Sequence, residues 1–226
     1  AARRNVGLTL ERKRQKTQNL LSLETPYASF CRGGKEMDFS NLFHSCFRTS
    51  AFLILSGPSL REYDLNLVKS SNIISMGVNN SWSVFTPDLW LCVDPPRKFL
   101  SSGWTNPKIM KFVPETLAKN PIRRKESGGQ FASLPMAAKE TPNTYTFKRN
   151  SSFNHETFLS EPTINWGQTG KKSDSLGVKG SRSVMLAAIK LLYILGIRDV
   201  YLLGCDFHMT EENKYAFEEN RGKGAI

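Results

Sequence analysis

Four short clusters in this sequence have the residue types to handle a phosphorylated ligand. The first is Ser56-Gly57-Pro58-Ser59, directly after the apolar run 51–55. Gly57 lets a backbone approach a ligand closely, Pro58 stiffens the turn, and Ser59 offers a hydroxyl and a cap for the helix expected next. A helix start also carries partial positive charge suited to a phosphate. The second cluster is Asn79-Asn80, closing the run 72–78, whose amides offer donors and acceptors to a base or ribose edge. The third is Asp94, after the run 89–93. The fourth is Asp206, in Gly204-Cys205-Asp206-Phe207-His208 after the run 199–203. Either carboxylate can bind ribose hydroxyls, hold a metal or act as a base. Gly180-Ser181-Arg182-Ser183 forms a second candidate anion-binding helix start through Ser181. His208 titrates near neutrality and has the chemistry of a general base. Any one of these residues alone serves equally well as a turn or cap. Their joint placement carries the argument.

That placement rests on the elements. An apolar run without polar alternation suits a strand buried on both faces of a parallel sheet. Run 51–55 is of this kind, 72–78, 89–93 and 199–203 are further strand-like runs, and each of the four clusters stands at the carboxyl end of one. In an open parallel sheet those ends line the ligand crevice. Between them the pattern predicts a helix over 60–69 and a short one over 81–85. A longer helix is predicted to start at the N-cap Ser181, to bury Val184, Ala188, Leu191, Leu192 and Leu195, and to close at Gly196. The predicted class is α/β: a Rossmann-like, mostly parallel sheet with helices on both faces and a basic, lid-like insertion. Residues 1–50 read as an N-terminal arm and loop, with a basic amphipathic stretch over 1–24 and mostly loop over 25–50. Residues 51–226 read as the nucleotide-binding domain. Within it, 101–175 is rich in Pro, Lys, Ser and Asn and reads as the insertion, with short strands near 108–113 and 144–147. Neither G-x-G-x-x-G nor G-x-x-x-x-G-K-[ST] occurs, which disfavours the dinucleotide fold and the P-loop nucleotidases.

The net charge of +11 is uneven. Residues 1–50 and 101–175 each carry +5, residues 51–100 carry 0, and residues 176–226 carry +1. Nearly neutral candidate nucleotide-binding segments beside a basic periphery predict an anionic partner or acceptor, such as nucleic acid, reached through 1–24 and 101–175. Aromatics such as Trp104 and Phe131 are available for stacking on bases. No apolar stretch reaches membrane-spanning length, and the basic N-terminus lacks the apolar core of a signal peptide. Cys31, Cys46, Cys92 and Cys205 show no CxxC spacing, so the expectation is reduced thiols in a cytoplasmic protein and no metal site. The start without Met and the polar end 221–226 suggest a piece of a longer chain; oligomeric state is left open.

Leu55-Ser56-Gly57-Pro58-Ser59-Leu60 followed by Asn79 resembles the nucleotide-binding start of bacterial sialyltransferases related to the Campylobacter lipooligosaccharide enzymes. Gly180-Ser181, Leu195-Gly196, the run from Val200 to Phe207 and Tyr215-Ala216-Phe217 resemble their second signature. Pro87-Asp88 through Val93-Asp94-Pro95 is similar to the Maf-type flagellin glycosyltransferases and the archaeal 6-hydroxymethylpterin diphosphokinase. These segments fall within 55–95 and 180–217 and speak to kinship of fold more than to activity. The resemblance implies a metal-independent, inverting transferase that takes a nucleotide-sugar, CMP-linked in the sialyltransferases, as substrate and needs no cofactor. It implies Gly57, Pro58 and Ser59 at the phosphates, Asn79 at nucleotide or sugar, Ser181 near the donor, Asp206 at ribose or base, and Tyr215 steadying the leaving phosphate. Ser56 stands where the family has Asn, and the family's base histidine lies beyond the stretch matched here. Two alternatives stay open: a pterin-type diphosphokinase, and a nucleic-acid-binding or DNA-modifying protein that keeps the fold.

Overall fold

The computed structural model describes residues 30–125, 131–150, 156, 158, 164–165, 183–206 and 216. Twelve strands are present among them: β1 Phe30–Arg32, β2 Lys35–Met37, β3 Ser50–Ile54, β4 Ile74–Val78, β5 Leu89–Leu91, β6 Met110–Pro114, β7 Pro121–Lys125, β8 Phe131–Ala137, β9 Thr144–Phe147, β10 Arg149–Asn150, β11 Ile164–Asn165 and β12 Asp199–Leu203. Five α-helices accompany them: α1 Ser40–Cys46, α2 Leu65–Ser70, α3 Ser101–Thr105, α4 Glu115–Ala118 and α5 Val184–Ile194. Eight strands form one sheet in the order β12-β3-β4-β5-β6-β9-β1-β2. From β12 to β9 every pair is parallel; β1 and β2 add an antiparallel edge. The chain is therefore an α/β protein built on a large, mostly parallel sheet.

Strand alternation sorts the apolar side chains onto two faces. Ala51, Leu53, Met76, Val78, Leu91 and Phe112 pack with Ala187, Ala188, Leu191 and Leu192 of α5. On the other face Ile54 packs with Leu60, Val68 and Phe85, while Trp90 packs with Phe99, Trp104 and Ile109. Each such Leu or Ile contributes roughly 2 kcal/mol by leaving water. Helix α5 stops at Gly196, which takes φ +93. A Cβ there would also lie 2.7 Å from the Phe43 carbonyl oxygen. The close approach lets the Gly196 carbonyl accept from Arg48 N–H, which docks the end of α5 beside the entry to β3.

From β3 the chain steps in one direction through β4, β5, β6 and β9, and then returns by α5 to place β12 on the far side of β3. The strand order thus reverses between β3 and β12. Parallel crossovers are right-handed, so the outward steps and the return lie on opposite faces, as the two core layers show.

Two sequence expectations change here. Residues 101–175 are not set apart from the sheet: β6 and β9 lie inside it, with Phe112 and Val113 fully buried and Phe147 nearly so. Residues 30–50 are not a peripheral loop: β1 joins the sheet and Phe30 is fully buried. The expected helix over 60–69 divides into a 3-10 turn, Pro58–Glu62, and α2. Asp64 separates them and caps α2 by accepting from Asn66 N–H. The helix expected near 81–85 is a 3-10 turn over Asn79–Ser83.

Candidate functional site

The parallel register brings four of the expected clusters to one edge. Leu203 pairs with Ile54, Ile54 with Gly77, and Gly77 with Trp90. Ser56–Ser59, Asn79-Asn80, Asp94 and Gly204–Asp206 all follow these positions at the carboxyl side. Asp206 and Asp94 belong to strands three spacings apart, roughly 14 Å at about 4.8 Å per strand.

Beyond β3 and β12 the two chains stay laddered. Leu55 N–H donates to Leu203 O at 2.8 Å, and Gly57 N–H to Gly204 O at 2.9 Å. Ser59 N–H donates to Asp206 Oδ2 at 2.8 Å, and Leu60 N–H to Gly57 O at 3.1 Å. Pro58 has no N–H. Every backbone donor from Gly57 to Leu60 is therefore used within the protein. The carboxylate of Asp206 occupies the place at the start of the 3-10 turn where the sequence reading puts a phosphate. Gly57 makes room for that carboxylate rather than for a ligand: a Cβ at Gly57 would collide with it and lie 2.6 Å from Gly204 O. What faces outward is different. Ser56, Pro58 and Ser59 are partly exposed, and the hydroxyls of Ser56 and Ser59 have no partner among the described residues. The loop is further held by Ala216, whose N–H donates to Ser56 O at 3.0 Å and whose carbonyl accepts from Arg61 Nε at 3.0 Å.

Asn79 adopts φ +45, a left-handed angle that Asn tolerates better than most residues. Its Oδ1 accepts from Val93 N–H at 3.2 Å, and its backbone carbonyl accepts from Trp90 Nε1 at 2.8 Å. The residue thus ties the end of β4 to the end of β5. Asn80, beside it, is partly exposed, and its carbonyl accepts from the Ser83 hydroxyl. Asp94 pairs with Lys98 at 3.6 Å, both about one-third exposed, so the pair orients more than it stabilises. Burial pushes the Cys92 thiol well up, and the Asp94 charge adds to this. Burial also raises Cys205, with Asp206 the second cause.

Ser181, His208 and Tyr215 lie outside the described residues. Among those described, no helix is long and apolar enough to cross a membrane, and no three His, Cys, Asp or Glu side chains gather as metal ligands. Three groups at this edge went unread in the sequence: Lys98, Arg61 and Trp90. Asp94 and Lys98 stand four residues apart, a spacing that could have signalled the pair. The other two depend on chain segments that meet only in three dimensions.

Fold and edge together define an α/β protein whose strand-order reversal carries a polar, carboxylate-rimmed edge. No family model matches the chain, and no curated protein and no solved structure is significantly similar to it.

Proposed function

We propose that this chain is a Rossmann-like transferase that takes a sugar from a nucleotide-activated donor, with the donor seated along the carboxyl edge from β12 to β5. The observation that carries the reading is the convergence of Ser56, Ser59, Asn79, Asn80, Asp94 and Asp206 at the strand-order reversal, where α/β proteins bind nucleotides.

The edge favours a donor with one phosphate, as in a CMP-linked sugar. Its outward donors are neutral hydroxyls and amides, and two carboxylates stand at the rim. Lys98 is paired with Asp94, and Arg61 donates to Ala216. Among the described residues, a nucleoside triphosphate, as the diphosphokinase reading requires, would meet two carboxylates at an edge where Lys98 and Arg61 are already engaged. Asp206 keeps Oδ1 for a ribose hydroxyl while Oδ2 holds Ser59 N–H. In an inverting transfer the acceptor oxygen bonds to the anomeric carbon as the bond to phosphate breaks. The acceptor proton passes to a base and the nucleotide leaves with the electron pair. His208 and Tyr215 are the residues proposed for the base and for the leaving phosphate.

Thermal melts with CMP, UMP, AMP and ATP plus magnesium test the reading. A saturating cytidine nucleotide, at about a hundred times its Kd, should stabilise the chain by about 2.7 kcal/mol. Asp206→Asn should diminish that gain. Flat melting curves with every nucleotide would remove the proposal, as would a gain indifferent to both Asp206→Asn and Asn79→Ala.

A further inference from the structure

Residues 95–125 hold eight basic residues and one acidic residue, the steepest local charge in the described chain. They lead into the β7–β8 hairpin. Its register sets Arg123 opposite Ser133 and Lys125 opposite Phe131. Directly paired residues share a face of a sheet, so Arg123 and Ser133 lie on one face, and Phe131, two residues from Ser133, lies on it as well. Ile122, on the other, is fully buried with Trp104 and Ile109.

The outward face is unusual for a short hairpin. Phe131 is 39% exposed, and the Arg123 guanidinium lies over its ring at 4.0 Å from the centroid. Arg123 is fixed in turn: Nη2 donates to Lys98 O at 2.8 Å, and its backbone bridges Leu100. Lys98 faces Asp94 at 3.6 Å. A continuous line of contacts therefore runs from the exposed ring to the rim of the donor edge. Arg97, on the 3-10 turn Pro96–Lys98 that packs against β7, and Lys119, just before it, are both exposed.

We propose that this hairpin docks a single-stranded nucleic acid and presents it as acceptor to the donor edge. The binding surface stands on the hairpin alone; its acceptor role rests on the transferase reading. Arg97 and Lys119 meet backbone phosphates, and the ring of Phe131, backed by a guanidinium, takes a base. An acidic glycan would use the cations, but its saturated sugar faces stack on a ring less strongly than a planar base does. A duplex keeps its bases stacked away from it, whereas a single strand offers them.

The test is fluorescence anisotropy of a labelled oligothymidine about 12 nucleotides long, titrated with the full chain at low and moderate salt. Phe131→Ala should weaken binding roughly tenfold, and Phe131→Trp should preserve it. The pair Arg97→Glu and Lys119→Glu should weaken it and reduce the salt slope by about 1.4, at about 0.7 for each phosphate contact on a single strand. Circular dichroism checks that each variant stays folded. Equal affinity of the parent and Phe131→Ala would overturn the proposal. So would competition by dextran sulfate that is as strong against Phe131→Ala as against the parent, which marks a bare polyanion surface. The assay contains no donor nucleotide, so its failure is separate from failure of the donor site.

Discussion

Gly57 is required by space rather than by backbone angle. Its φ of −68 and ψ of 154 suit any residue, but a side chain would run into the Asp206 carboxylate and the Gly204 carbonyl. Gly57→Ala should therefore cost about 1–3 kcal/mol, as overpacking of a tight contact does. Urea unfolding measures this, and Asp206→Ala in the same background should recover part of the loss. A Gly57→Ala chain as stable as the parent would mean that the loop is not packed this way. That Ser56 to Ser59 and Asp206 stand at the carboxyl ends of parallel strands was legible in the sequence. Their bonding was not. A carboxylate 147 positions away can take Ser59 N–H only after β12 lands beside β3, and nothing local announces that.

Lys111 stands inside β6, the short strand expected near 108–113, and shows how a central strand takes in a lysine. A lysine in the middle of Met110–Pro114 breaks the apolar run that marks a central strand. It is nonetheless fully buried. Its ammonium donates to the carbonyls of Asn106 at 2.6 Å, Ile109 at 2.9 Å and Pro142 at 2.7 Å, tying the entry of β6 to the turn before β9. Burial, with Arg32 contributing, lowers its pKa from 10.5 to about 8. Between those values the folded chain has released a proton that the unfolded chain still holds. Stability therefore rises with pH across that window, and below it the penalty is constant. Lys111→Met should remove this component of the pH slope. It also removes three hydrogen bonds, the one to the Ile109 carbonyl being fully buried, at a cost of about 1–3 kcal/mol for a buried group left unsatisfied. Urea midpoints of both chains at about pH 7.5 and about pH 9.5 read both effects. Parallel slopes would count against the burial assigned to Lys111. By contrast β9, Thr144–Phe147, and β12, Asp199–Leu203, match the sequence reading residue for residue, because their apolar and β-branched runs contain no such interruption.

The whole sheet is graded from centre to edge. Leu53, Met76, Leu91 and Phe112 sit on strands paired on both sides and are fully buried. At one edge β2 is a three-residue strand carrying Lys35 and Glu36, a short, charged edge that discourages further pairing. Hydrogen exchange followed by mass spectrometry should find β3 to β6 opening only with global unfolding. β2 and the β7–β8 hairpin should exchange through smaller openings. Uniform protection across these segments would contradict the grading. The charge distribution belongs to this scale as well: the stretch 51–100, with no net charge, supplies β3 to β5 and the turns at their carboxyl ends, and the basic stretch after it supplies β6 and the β7–β8 hairpin.

The sequence by itself determined which segments are strands at the middle of the sheet, that they run parallel, and that small and polar residues end each one. Hydrophobic runs and turn chemistry are local properties, and a parallel sheet aligns strand ends wherever the chain supplies them. Only the tertiary structure decided that β12 returns to the side of β3, that Asp206 rather than a ligand takes the Ser59 N–H, and that the basic middle of the chain supplies two sheet strands and a hairpin. Those outcomes depend on which distant segments become neighbours. That choice is made by burying two faces of one sheet at once, and no short window of sequence contains it.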